Sequence, residues 1–456
     1  MKKTNLTAIF FLVYLGLRIF TYFFSPETPL YTGSIINTAV SLLILCSTIY
    51  FLIKKETVGW LIVAGEIILG GSGGFLAIFS LSLRTCLLLV SLTIFFIKTN
   101  NPFAHFLSLF SSIVHRPSSM VIFFPLITIT TYSLLHGYIL HNTTSLIISD
   151  FIPYLFLFYI FPLKKLWHNE QFKNISYKML QVAIISNLFF VLFTFIIFSG
   201  NWVYLQGDYY HWFRDVALGK ITDMGNNFYR VVLNEHLLLI PILLSGIYQT
   251  IKTSSKKITW FFVLPLLVIL SLNLTRIYFL AMIIGLLFLF TKNNWKKWII
   301  YSVAACLTIF ISFTILHLSA SRGQSLGWEF FGIRIQSITQ PTIEDSSLSR
   351  MLILPQAIAK INNRPLLGNG IGDEITVYSP ILKQQITTSQ FDWGWLEIIA
   401  EMGILGLLAW LYFIVKIFLR KPPQHLTAGL ISLLIINLTS PALFHVFGII
   451  FLILLV

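Results

Sequence analysis

Four arginines, a few carboxylates and one imidazole are the residues of this sequence that could do chemistry. Arg230 stands about one turn before Glu235 and His236. Thr275-Arg276 opens an apolar run, and Arg350 lies in Ser349-Arg350-Met-Leu-Ile-Leu-Pro355. Arg364 precedes Pro365-Leu-Leu-Gly368-Asn-Gly370-Ile-Gly372. Arginine grips phosphate oxygens bidentately without a metal ion. The plainer reading of each arginine is a side chain snorkelling to lipid headgroups. The run 368–372 could cradle phosphate through backbone amides, but by itself it reads as a breaker-rich turn. Asp392, in Phe391-Asp392-Trp393-Gly-Trp395-Leu396-Glu397, is equally a helix-capping carboxylate or a catalytic one.

The elements that must position these groups are membrane helices. Of the 456 residues, 56% are apolar and only 11% charged, and the mean hydropathy is +0.83. Soluble domains carry about 25% charged residues, so a soluble enzyme, a disordered chain and a fibre are all excluded. A span needs about 20 apolar residues, and only helices or closed barrels satisfy their backbones in hydrocarbon. The apolar runs have helix length and do not alternate, which excludes a barrel. The expected class is all-α: one polytopic bundle over residues 1–456 with 12–14 spans. These fall at 5–24, 35–53, 57–79, 81–98, 120–139, 146–163, 179–199, 231–250, 258–273, 275–291, 297–317, 394–418 and from 425 onward, where Pro441 makes either one long span or two short ones. The start lacks a small-residue cleavage site and reads as a retained first span.

The net charge of +14 suggests nucleic acid until it is located. Seven loops on one side, from Lys2/Lys3 and Lys98/Arg116 to the 416–421 segment, hold 19 Lys/Arg against 2 acids. The positive-inside rule makes that side cytoplasmic, with the N-terminus on it. No nucleic-acid partner is expected. Two loops on the other side are long, 200–230 and 318–393, and long loops are commonly functional. The second is too rich in Trp, Phe, Ile and Leu for disorder and is expected to fold as a small helical cap. Within it, Ser346 or Ser347 would cap a helix running to Lys360 and bent at Pro355. No internal repeat is visible.

Arg18 and Glu66 lie inside spans, where a charge costs about 2.5–3.5 kcal/mol, and are expected to pair with each other. Cys46, Cys86 and Cys306 sit in apolar runs and imply no disulfide framework. His105, His115, His168 and His425 are scattered. Glu344-Asp345 and Asp373-Glu374 are adjacent doublets, a poor metal clamp, so no metal and no cofactor are expected.

Residues 273–412 resemble the O-antigen ligase and O-antigen polymerase family of bacterial membrane glycosyltransferases. The family pattern is a Ser/Thr-Arg pair opening a span, a distant loop Arg, a Pro-Leu-Leu-Gly-x-Gly turn, a His-Asn or Asp-Asn pair, Leu, and Glu-x-Gly-x-x-Gly. This chain has Thr275-Arg276, Arg350, the 365–370 turn, Asp392-Trp393, Leu396 and Glu401-Met-Gly403-Ile-Leu-Gly406. Members that load glycan onto lipid A core typically have His where Asp392 stands and Asn where Trp393 stands, so this departure favours a polymerase.

The resemblance implies a GT-C-like fold and a metal-independent, inverting transfer at the outer leaflet. The donor is a glycan on undecaprenyl pyrophosphate, and the acceptor is a hydroxyl of a second lipid-linked glycan. Arg276 and Arg350 would hold the pyrophosphate with Arg230 and Arg364 in support. Asp392 would be the base, with Glu235 or His236 in reserve. Membrane lipids, a flippase and a chain-length regulator are the expected partners. Gly403 and Gly406 suit close helix packing. Two alternatives stay open: a ligase delivering glycan to lipid A core or another acceptor, and a flippase of lipid-linked oligosaccharide. Against the flippase, charge gathers in one asymmetric loop rather than near the midplane.

Overall fold

The fold is that of a computed structural model describing residues 3–28, 31–99, 121–252, 256–340, 345–379, 384–389 and 391–456. Lys2, His105, His115, Arg116, Glu344 and the first residue of the expected 120–139 span lie outside the described residues. The chain is an all-α polytopic membrane protein. Leu6–Phe23, Ile35–Lys54, Thr144–Leu166, Glu170–Ser199, Lys292–Ala320 and Gly394–Leu419 are long and apolar enough to cross a membrane. Phe261–Asn273, Arg276–Phe288 and Gln424–Ile436 are shorter apolar helices. The distribution of side chains suits hydrocarbon: in the first helix Leu12, Ile19 and Phe23 are exposed while Arg18 and Thr21 are buried. Exposed apolar groups need no cover in lipid, whereas polar groups must find partners inside the protein.

Several expected spans are shorter or broken. Residues 231–250 begin as the strand Tyr229–Val232, pass through a 3-10 turn at Asn234–Leu238 and become helical at Leu239–Lys252. The C-terminal stretch is two helices, Gln424–Ile436 and Val446–Leu454, with Pro441 in the break between them. The 318–393 segment is not purely helical. It holds the helices Trp328–Thr339 and Asp345–Asn363 and then an antiparallel hairpin pairing Ile375–Ser379 with Gln384–Thr388. The reason is local, since Ile, Thr, Val and Tyr favour a pleated surface over a helix. Asp345–Asn363 starts at Asp345, so Ser346 and Ser347 lie inside its first turn rather than capping it, and Pro355 is internal.

The described chain divides into two compact units: residues 1–100, 161–275 and 290–328, and residues 101–160, 276–289 and 329–456. In the first unit the long helix Glu170–Ser199 is the spine, packed by Lys3–Phe23, Glu56–Leu69 and Lys256–Asn273. Its deep charges do not pair as expected. Arg18 Nη2 meets Glu235 Oε1 at 3.1 Å, and Glu66 Oε2 takes Arg84 Nε at 2.8 Å. Arg84 also donates to the carbonyl of Gly71 at 2.7 Å. Glu66 therefore finds its cation 18 residues on, after the 70–82 turn, which leaves Arg18 to Glu235, the carboxylate that follows the 200–230 loop.

In the second unit, Gly394–Leu419 packs on Phe124–Ile139 and on Asp345–Asn363, which in turn covers the strand Ile375–Ser379. Ile353, Ala357, Ile375, Phe391 and Ala400 form the core between them. Arg276–Phe288 lies along Gln424–Ile436.

Candidate active site

The Gly-rich turn is built into a helix break. Gly403 has φ 68° and ψ −172° inside Gly394–Leu419, and such a break leaves backbone groups unpaired at a cost of several kcal/mol each in hydrocarbon. The 365–372 turn supplies the partners. Asn369 and Gly370 donate their amides to the carbonyls of Ala400 and Glu401 at 2.8 and 2.9 Å. The amides of Ile404 and Leu405 donate to the carbonyls of Pro365 and Leu366 at 2.8 and 3.3 Å. Gly368 donates to Arg364, Ile371 to Ser133, and Gly372 to the Glu401 carboxylate. All five amides of 368–372 are thus already donated within the protein, so the turn is not a phosphate cradle. Gly370, at φ 82°, has the backbone of Gly137 where a Cβ would stand. Asn142 clamps the turn by donating to the carbonyls of Asn369 and Ile371, both at 3.1 Å.

What the turn positions is the junction ahead of Gly394–Leu419, where Asp392 sits. Asp392 has a left-handed φ of 56°, a conformation that Asp tolerates better than most residues and that is enriched at functional positions. It is not the helix cap: the cap residue is Trp393, which makes no side-chain cap bond. Glu397 instead reaches back to accept the amide of Phe391 at 3.1 Å. Trp393 Nε1 donates to the carbonyl of Arg350 at 3.3 Å, which ties the residue beside Asp392 to helix Asp345–Asn363. One turn before Arg350, Ser347 Oγ accepts Arg276 Nη2 at 2.7 Å. Arg350 is half-buried, and its Nε has no partner among the described residues. Arg276, Arg350 and Asp392 are therefore linked through Ser347 and Trp393 within one unit.

Arg364 is not gathered with them. It follows the C-terminal end of the same helix, fourteen residues beyond Arg350, or about 21 Å at 1.5 Å per residue, and it is exposed. Nearby, Asp373 takes Lys360 Nζ at 2.6 Å, and Glu374 accepts from Thr143. Burial pushes the Asp373 carboxyl above the ordinary carboxylate range, and Lys360 pulls it partly back. Among the described residues no cluster of three or more His, Cys, Asp or Glu is placed to hold a metal ion.

In the other unit, Arg230, Glu235 and His236 belong to one polar network. Arg230 Nε donates to the carbonyl of Asn273 at 2.7 Å, closing the end of Lys256–Asn273, and its Nη2 donates to Thr275 Oγ1 at 2.8 Å. His236 is 2% exposed. Its Nδ1 faces two donors, the Leu233 amide at 3.2 Å and Asn273 Nδ2 at 2.9 Å. That nitrogen is therefore the acceptor, and Nε2–H donates to Asn187 Oδ1 at 3.2 Å. Asn187 Nδ2 and Arg18 both donate to Glu235 Oε1. The lone pair that His236 would need as a base is occupied, and Glu235 is engaged by a cation; these positions suit holding Arg230 and Thr275 in place. Sequence reasoning missed Asn187 and Asn273. Their one signal was a lone amide in or ending an apolar run, where a polar group must be satisfied internally.

Residues 261–411 match the family model described as O-antigen ligase. No curated protein and no solved structure matches the chain. The match takes in Arg276, Arg350, Arg364, the turn, Asp392 and the Gly403 break, and leaves out Arg230, Glu235 and His236.

Proposed function

We propose that this membrane protein, whose residues 261–411 match the O-antigen ligase family model, is a polysaccharide polymerase. Its donor is a glycan on undecaprenyl pyrophosphate, and its acceptor is a hydroxyl of a second lipid-linked glycan. The observation that carries the reading is the linkage of Arg276 and Arg350 through Ser347, with Trp393 fastening Asp392 beside them. The acceptor oxygen forms the new bond to the anomeric carbon from the face opposite the pyrophosphate. The carbon–oxygen bond to phosphate breaks, and its electron pair leaves with undecaprenyl pyrophosphate. That leaving group is a weak base and needs no proton, only stabilisation of its growing charge by preorganised cations. The acceptor's proton passes to Asp392. The positive-inside reading of the loop charges supports a reaction at the outer face of a bacterial cytoplasmic membrane.

The ligase reading is favoured by the description of the matching family and opposed by Asp392-Trp393. One experiment separates the two. Purified protein is given undecaprenyl-pyrophosphate oligosaccharide in EDTA, and product length is followed on a gel. A ladder that Arg276→Ala or Arg350→Ala reduces by about 10²–10³-fold supports the polymerase. If no ladder forms, with or without magnesium, while glycan moves to an added lipid A core, the protein is a ligase. No transfer to either acceptor overturns both readings and leaves the flippase.

A further inference from the structure

A groove of about 430 Å³ runs between helix Asp345–Asn363 and the hairpin strand Ile375–Ser379, lined by Leu352, Gln356, Thr376, Val377 and Tyr378. Its volume lies in the range of small-ligand sites. Ile353 and Ala357 on the helix, with Ile375 and Val377 on the strand, turn toward the core, which leaves Gln356, Thr376 and Tyr378 exposed. The hairpin register sets Thr376 opposite Thr387 and Tyr378 opposite Gln385. The two threonine hydroxyls are 2.9 Å apart. Side chains two apart on a strand share a face, so one face of the hairpin presents two hydroxyls, an amide and a phenol ring. The described residues of the two strands carry no charge.

That chemistry does not suit phosphate, which calls for arginine or lysine. It does not suit a polyprenyl tail either, because only Leu352 and Val377 offer an aliphatic wall. It suits a neutral sugar, whose hydroxyls pair with amide and hydroxyl groups and whose C–H face lies on an aromatic ring. Gln356 is six residues beyond Arg350 on the same helix, about 9 Å along its axis and about 120° around it.

We propose that this groove binds uncharged sugar residues of the lipid-linked glycan, at a distance from the pyrophosphate and on a different face of the helix from Arg350. Gln356 and Thr376 hydrogen-bond the sugar hydroxyls, and Tyr378 stacks on the ring. The inference rests on the glycan-transfer reading above but assigns a site that the chemistry at Asp392 does not need.

The test uses the full-length protein in detergent and, as probe, the free oligosaccharide released by mild acid from the source cells' own lipid-linked glycan. Binding is read by saturation-transfer difference NMR. Wild type and Tyr378→Phe should give the same signals, while Tyr378→Ala and Gln356→Ala weaken apparent affinity by about tenfold. Both positions are exposed, and an unchanged melting temperature checks that the variants fold. No binding by wild type, or equal binding by the alanine variants, overturns the proposal. The probe has neither pyrophosphate nor lipid and cannot be a donor. Binding without any transfer activity would therefore sink the polymerase reading alone, and transfer without binding would sink the groove alone.

Discussion

The amide of Gly370 donates to the carbonyl of Glu401 at 2.9 Å, so a loop glycine completes a membrane helix broken two residues later at Gly403. The same carbonyl also accepts Ser133 Oγ at 2.9 Å. The junction carrying Asp392 is therefore anchored on a rigid joint of three segments, as a catalytic group requires.

Gly370→Ala should unseat that joint. A left-handed backbone costs alanine about 1–2 kcal/mol, and the added Cβ would stand 2.3 Å from the backbone of Gly137. The melting temperature in detergent should fall and activity with it. Gly332→Ala, where nothing stands within 4 Å, should melt like wild type. Equal melting of the two variants would mean that the turn does not brace the helix.

Ser347→Ala removes the acceptor of Arg276 Nη2 without touching either arginine's charge. One hydrogen bond to a charged group is worth about 1.5–3 kcal/mol. Transfer should slow by about tenfold or more, well short of the loss in Arg276→Ala. A Ser347→Ala enzyme with wild-type kcat and KM would show that Arg276 needs no positioning from this helix.

His236 and Asp392 should separate by the kind of damage done. His236→Ala leaves Asn273 Nδ2, Asn187 Oδ1 and the Leu233 amide without a partner, each unsatisfied group costing about 1–3 kcal/mol. It should melt early, with the activity of the remaining folded fraction close to normal. Asp392→Asn should melt normally and lose most of its kcat. The opposite pattern would assign the base to His236.

Asp373 gives a pH signature. Burial raises its carboxyl above the unfolded value despite Lys360. The folded state therefore binds this proton more tightly, and the resulting stabilisation is full below the unfolded pKa, near 4. It is lost as pH rises through the folded pKa. The difference in melting temperature between wild type and Asp373→Asn should thus be most favourable to wild type at acid pH and shrink toward neutrality. A difference that grows as pH rises would mean that the Lys360 pair outweighs burial.

Much of this architecture was legible in the residues. Helix-length apolar runs placed the helices, and the order Thr275-Arg276, Arg350, 365–370, Asp392, Glu401-x-Gly403 carried the resemblance that the family model over 261–411 also finds. The paired strands Ile375–Ser379 and Gln384–Thr388 were missed because length and aromatic content say nothing about periodicity. Only the tertiary structure decided which partner each charge meets. Arg18 lies 217 residues from Glu235, Arg276 lies 71 from Ser347, and the amides of 368–372 turn inward rather than toward a ligand. Apolar periodicity and loop charge are local properties that a span reports by itself. The partner of a buried polar group is set by the rotation and depth at which several helices pack together, and no single segment of the sequence carries that.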